Sequence, residues 1–292
     1  GSTFSYGITG TFSDYTAEYT KCDNPTGLIG DPYVGKKYGE IWGYKVDGLF
    51  RNDKEAAEYA SRIDLSTVAS GYYTATGAYG KGVRGGDIKY LDLNGDNIVN
   101  GGKGTLDDPG DRRVIGNSSP RYQYGASLNF SWYGFDVSVF MQGIGRLDWY
   151  PGADNLRFWG PYCRPYATFV PKNFMSQVWS EENPDAYFPR ARAYTSLNSN
   201  SGTAYYTNDR YLQNLAYCRL KNLTIGYTIP RRLTSKVGIK ECRIYFSGEN
   251  LATWSALKSD FLDPEQAAAD SDKKANVYPW CKTYSIGLNL TF

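Results

Sequence analysis

Asp92, Asn94 and Asp96 stand at the first, third and fifth places of DLNGDNIVN (92–100), with the Ile98 carbonyl at the seventh and Asn100 at the ninth. Oxygen donors at that spacing are how a calcium loop surrounds a hard cation. The second half of the pattern departs from it, because Asn97 replaces the turn glycine and Lys103 occupies the twelfth place, where a carboxylate is needed. Two readings follow: a bound Ca2+ at 92–100, or a Gly/Asn/Asp turn held by its own side chains, and the second is favoured. A further constellation follows Arg146. Trp149, Tyr150, Phe158, Trp159, Tyr162, Tyr166 and Phe169 are interleaved with Arg157 and Arg164. Aromatic faces and guanidinium forks suit sugar rings or peptide carboxylates, so Trp149, Tyr150, Arg157, Phe158, Trp159, Tyr162 and Arg164 are the candidate substrate-binding residues. Loop packing or an interfacial aromatic girdle would use the same residues.

Catalysis finds little support. With no histidine in the chain, the commonest general base and metal ligand is lacking. The neighbouring carboxylates Glu181 and Glu182, or Asp107 and Asp108, are adjacent rather than convergent across a scissile bond, so solvated loop charge is the expectation. The five cysteines are scattered with no CxxC pair. A net charge of +2 supplies no global field for nucleic acid. No enzyme is expected.

The elements that must position these residues read as strands. Tyr122, Tyr124, Ala126, Leu128, Phe130 and Trp132 alternate with Arg121, Gln123, Gly125, Ser127, Asn129 and Ser131. After Tyr133-Gly134 the alternation resumes with Phe135, Val137, Val139 and Met141, which predicts a tight hairpin; Phe140 is an exception on its polar face. Similar stretches lie at 4–13, 41–50, 222–229, 242–247 and 284–292, giving about seven strands. With 27 Tyr, 13 Phe, 7 Trp and 32 Gly, a mean hydropathy of -0.52 fits strands that are apolar on one face only. Short connections (Tyr133-Gly134, 230–240) alternate with long ones (51–119, 148–215, 255–279), the asymmetry of a membrane barrel. Helices are expected within the long connections at Asn52–Ile63 and Pro264–Asp270, as ornaments and not a core. The fold class expected is all-β: a transmembrane antiparallel β-barrel to which residues 1–292 contribute about seven strands and long extracellular loops; that these are its C-terminal strands is what the resemblance described next implies.

Several phrases, in order along the chain, carry a resemblance: IWGYKVDGLF (41–50), GDIKYLDLNGD (86–96), DRRVIGNSSPRYQYG (111–125), WSEENPDAYFPRA (179–191), YCRLKNLTIGYTIP (217–230), IYFSGENLATWS (244–255) and YSIGLNLTF (284–292). Together they resemble the last third of the SusC/RagA family of TonB-dependent transporters. That resemblance implies an outer-membrane importer of glycans or peptides. It implies as partners a SusD-like lipoprotein, TonB acting through the N-terminal part, and a plug and earlier strands supplied outside this sequence. It also implies that Tyr284, Ile286, Leu288, Leu290 and Phe292 form the terminal signal read by the outer-membrane assembly machinery. From residues alone, a soluble or surface-attached glycan-binding β-protein stays open as the alternative.

On the barrel reading, Tyr122, Leu128, Phe130, Ile286 and Leu288 face lipid and Gln123, Asn129, Ser285 and Asn289 the lumen. An odd strand count would put the start of the chain at the long-loop rim.

Overall fold

The computed structural model describes residues 4–74, 82–163, 170, 172–192, 204–259, 262–269 and 280–292. In chain order the strands are β1 (Phe4–Ser13), β2 (Glu40–Gly43), β3 (Val46–Leu49), β4 (Ile88–Tyr90), β5 (Arg113–Asn117), β6 (Arg121–Trp132), β7 (Phe135–Arg146), β8 (Asp148–Trp149), β9 (Gln213–Asn214), β10 (Tyr217–Thr228), β11 (Glu241–Ser255) and β12 (Thr283–Thr291). The α-helices are α1 (Asp53–Ala60), α2 (Ser70–Thr74), α3 (Leu156–Trp159), α4 (Arg231–Thr234) and α5 (Pro264–Ala269).

Six long strands form one antiparallel sheet in the order β1-β6-β7-β10-β11-β12. Among the described residues, β1 and β12 are its two edges, and the sheet is not closed. The register turns the alternation of each strand into a continuous surface. Tyr6, Phe130, Val137, Ile225, Phe246 and Ile286 pair successively across all six strands, and Ile8, Leu128, Val139 and Leu223 make the next row. The opposite face carries Gly7, Asn129, Ser138, Thr224, Ser247 and Ser285 in one row. A one-residue slip anywhere would bring polar side chains into the apolar rows, so the pattern itself fixes the register. Tyr133 (φ 47°) and Gly134 (φ 87°) make the two-residue turn of the β6–β7 hairpin, both in the left-handed region such turns demand.

Two expectations are corrected. Residues 41–50 are not a seventh strand of the sheet. β2 pairs with β5 and β3 with β4 in separate two-stranded ribbons, because the chain breaks away at Tyr44, whose N–H donates to the Thr207 carbonyl at 2.8 Å. With six strands in place of seven, Phe4 pairs with Trp132 at the short-turn rim and not at the long-loop rim.

The long connections are also more than ornaments. Residues from 44–99, 150–188 and 204–211 bury one shared core that includes Phe50, Leu65, Val68, Ile88, Tyr90, Trp159 and Tyr211. Within it α1 forms as expected: Asn52 Oδ1 accepts from the Glu55 N–H at 2.9 Å, while the Glu55 carboxylate accepts from the Arg51 N–H at 2.7 Å. The buried core of the described chain thus lies in its connections, and the sheet leaves its apolar face uncovered. Ile286 is 84% exposed and Tyr6 72%. No helix is long and apolar enough to cross a membrane, which says nothing of crossing by strands.

Candidate functional site

Tyr150, Phe158, Trp159 and Tyr162 sit inside the connection core, and Trp149 in a smaller cluster with Leu147, Leu215 and Ala267. Trp149, Tyr150, Phe158, Trp159 and Tyr162 are all buried, whereas Arg157 is exposed. Ring packs on ring: Phe158 lies edge-on to Trp159 at 4.8 Å and to Phe188 at 5.6 Å, and Trp159 meets Tyr211 at 5.1 Å. Tyr150 Oη donates toward the Ala204 and Tyr206 carbonyls and accepts from Asn208 Nδ2 at 3.0 Å. This is the packing that the loop-packing reading expects of these rings, since rings that cover one another exclude water. Arg164, with Tyr166 and Phe169, lies outside the described residues.

A buried ion pair ties this core together. Asp87 and Arg192 are both almost wholly buried, and the Arg192 Nε meets Asp87 Oδ1 at 2.9 Å. Tyr72 covers the guanidinium, its ring centroid 4.2 Å from Cζ. Burial pushes the Asp87 carboxyl up to about 6, against the downward pull of Arg192.

At 92–100 the side chains hold the turn. Asp92 accepts from the N–H groups of Gly95 and Asn97, Asn94 Oδ1 from that of Asp96, Asp96 Oδ1 from that of Ile98, and Asn100 Oδ1 from that of Gly102. The organiser is a residue outside the motif. Asp111, fully buried, accepts from the N–H groups of Leu93 at 2.7 Å, Asn94 at 3.3 Å and Asn100 at 2.9 Å. Among the described residues, no group of three or more acidic or Cys side chains is arranged to hold a metal ion. The donor set that is assembled fits a self-held turn.

Two hollows border the sheet near its long-loop rim. One, of about 460 Å³, is lined by Tyr15, Lys37, Glu40, Asn117, Arg121 and Arg146 among others. Glu40 accepts from Tyr33 Oη at 2.6 Å, and burial with this carboxylate pushes the Tyr33 phenol up to about 12. Arg146 reaches Asp148 at 3.0 Å yet keeps a side chain 59% exposed, so its guanidinium can still take a ligand. The other hollow, of about 330 Å³ on the polar face, is lined by uncharged residues that include Thr11, Gln123, Phe140, Gln142 and Tyr217. Phe140, the exception in the alternation, is thus part of a surface. Sequence reasoning missed Arg192 and Arg219. The only local signal was at Arg219 and Lys221, two cations on an otherwise neutral strand.

The terminal strand places Tyr284, Ile286, Leu288 and Leu290 together on the uncovered apolar face, with Phe292 73% exposed just past it.

No family model matches the chain. Among curated proteins it is 28% identical over 215 residues to TonB-dependent receptor P26 of Formosa agariphila, a match covering 71% of this chain and 20% of that protein. It is 25% identical over 267 residues to TonB-dependent receptor P3 of the same organism, covering 88% of this chain and 22% of that one. Among solved structures, the RagAB peptide transporter superposes on all of this chain with a TM-score of 0.63 at 19% identity, using 28% of its own chain. The RagAB peptide importer in its closed-closed state gives 0.59 at 18% identity over 100% of this chain and 28% of that one. The chain spans about a fifth of the length of the curated relatives it matches. Its homologues are TonB-dependent receptors, and its fold is that of a stretch of the RagAB transporter chain.

Proposed function

We propose that this chain is the C-terminal wall of a TonB-dependent outer-membrane importer of the SusC/RagA kind. It takes up glycans or peptides together with a SusD-like lipoprotein, with TonB supplying energy through the N-terminal part. The observation that carries the proposal is the register-aligned apolar face spanning all six strands, left uncovered while the connections bury their own core. An apolar patch of that extent is not tolerated in water, but is what a barrel presents to lipid. The free edges of β1 and β12 would pair with the remaining strands of a barrel of about 22, since unpaired backbone cannot persist in the bilayer. The receptor relatives and the peptide-transporter neighbour support the same reading. Phe292 and the apolar positions of β12 would serve as the signal for the assembly machinery.

The test uses the full-length protein. Extraction from membranes only with detergent, and ligand uptake lost on deletion of TonB, are expected. Partitioning into buffer without detergent would favour a soluble or surface-attached glycan-binding protein instead.

A further inference from the structure

Residues 262–269 of the β11–β12 connection lie against the polar face of the sheet. Arg219 on β10 is 1% exposed and lies on that face, paired in register with Gln142 of β7 and Thr253 of β11. Its Nε donates to Thr253 Oγ1 at 2.9 Å, and its two terminal nitrogens reach Glu265 Oε2 at 2.6 Å and the Asp263 carboxylate. Lys221 joins it, with Nζ 2.9 and 2.8 Å from the two oxygens of Glu265. The register against β7 shifts between Leu220 and Asn222, so one extra residue sits in β10 there. That bulge lets Lys221 stand beside Arg219 while Leu223 still returns to the apolar face.

The acids are equally fixed. Asp263 Oδ1 caps α5 by accepting from the N–H groups of Glu265 and Gln266 at 3.0 and 3.1 Å. Ala267 of the same helix is buried against Leu147, Trp149 and Leu215. At the other end of the connection the Trp280 ring lies 4.7 Å from Lys221 Nζ. Both described arms of the connection therefore return to one pair of cations on the wall. A charge network this buried is costly to assemble and costly to break on one side only, so its gain is a fixed position rather than stability.

We infer that Arg219 is a positioning residue that holds the 262–269 arm across the polar face, where the arm narrows the passage and limits the size of what goes through. The inference rests on the reading above that this face lines a passage.

The experiment uses the full-length protein with Asp263→Asn/Glu265→Gln, which keeps packing and cap geometry, and separately Arg219→Met, which removes the buried cation. Amide exchange over 262–269 should quicken about ten-fold in both variants while 223–228 stays protected. In parallel, Ser247→Cys on the polar face, below the arm, is treated in intact cells with a small maleimide and with a bulky polyethylene-glycol maleimide. Labelling is measured against the same protein with Ser247 unchanged. The small reagent should label with the arm held or released, and the bulky one only when it is released. Unchanged exchange over 262–269, or equal labelling by the bulky reagent in all proteins, would overturn the proposal. If exchange responds but even the small reagent never labels position 247, the passage reading fails, and the positioning role in transport with it.

Discussion

Arg243 on β11 crosses over β10 to bind Asp136 on β7, Nε to Oδ1 at 2.9 Å, and Gly226 lies bare beneath the bridge. A Cβ at Gly226 would meet the Arg243 Nη2 and Asp136 Oδ1 atoms at 2.5 Å, so a side chain there would push the pair out of its present geometry. Since both groups are partly exposed, the bridge is worth no more than about 0.2–1 kcal/mol. Gly226→Ala and Arg243→Ala should each cost about that much, and the double variant should cost no more than the larger single. Urea unfolding of the three variants checks it; additive losses would mean that Gly226 serves something other than the bridge.

Asp87 gives the connection core a pH dependence. Its carboxyl is raised by burial to about 6, above its value in an unfolded chain, so the protonated form favours the fold. The associated stability is complete below the unfolded value of about 4 and is lost as pH rises through about 6, amounting to no more than about 3 kcal/mol. Relative to Asp87→Asn, the melting temperature should therefore gain on acidification from about pH 7.5 to about pH 4.5. A difference independent of pH would show that Arg192 keeps Asp87 ionised throughout.

The 92–100 turn should depend on Asp111 and not on a cation. Asp111→Ala leaves three backbone N–H groups without their acceptor and should cost about 3 kcal/mol, read by thermal unfolding. Calcium or a chelator should leave the wild-type melting temperature where it was. A rise with calcium would return the turn to the cation-loop reading.

What was legible in the sequence is what period two can encode. Leu128, Val139 and Leu223 alternate along their own strands and, once paired, line up across the sheet. The same period misled at 41–50. Trp42, Tyr44, Val46 and Phe50 are spaced like a strand, but Tyr44 and Val46 hydrogen-bond to Thr207 and Asp209, partners over 160 places away that no local pattern reports. At Trp159 and Tyr162 the sequence left two readings open. Composition marks an aromatic as suited to stacking without saying whether a sugar or Phe188 covers it. Arg219 was illegible because it acts through Asp263 and Glu265, which lie over 40 places further along the chain.

Phe292 separates assembly from stability. By burial alone its loss should cost no more than about 1.5–3 kcal/mol, which a large barrel survives. Deleting it should lower the amount of full-length protein at the cell surface far more than it lowers the melting temperature of the purified barrel. Unchanged surface levels would reduce Phe292 to an ordinary rim aromatic.

The orientation of the six-stranded sheet is tested most directly by nitroxide labels placed one at a time at positions 125–131 of β6 in the full-length protein, reconstituted in lipid. At mid-strand, the label at Leu128 should collide with oxygen dissolved in the bilayer, and those at Ser127 and Asn129 with a water-soluble nickel chelate, alternating with period two. Equal access of the nickel chelate to positions 127, 128 and 129 would contradict a membrane-facing sheet.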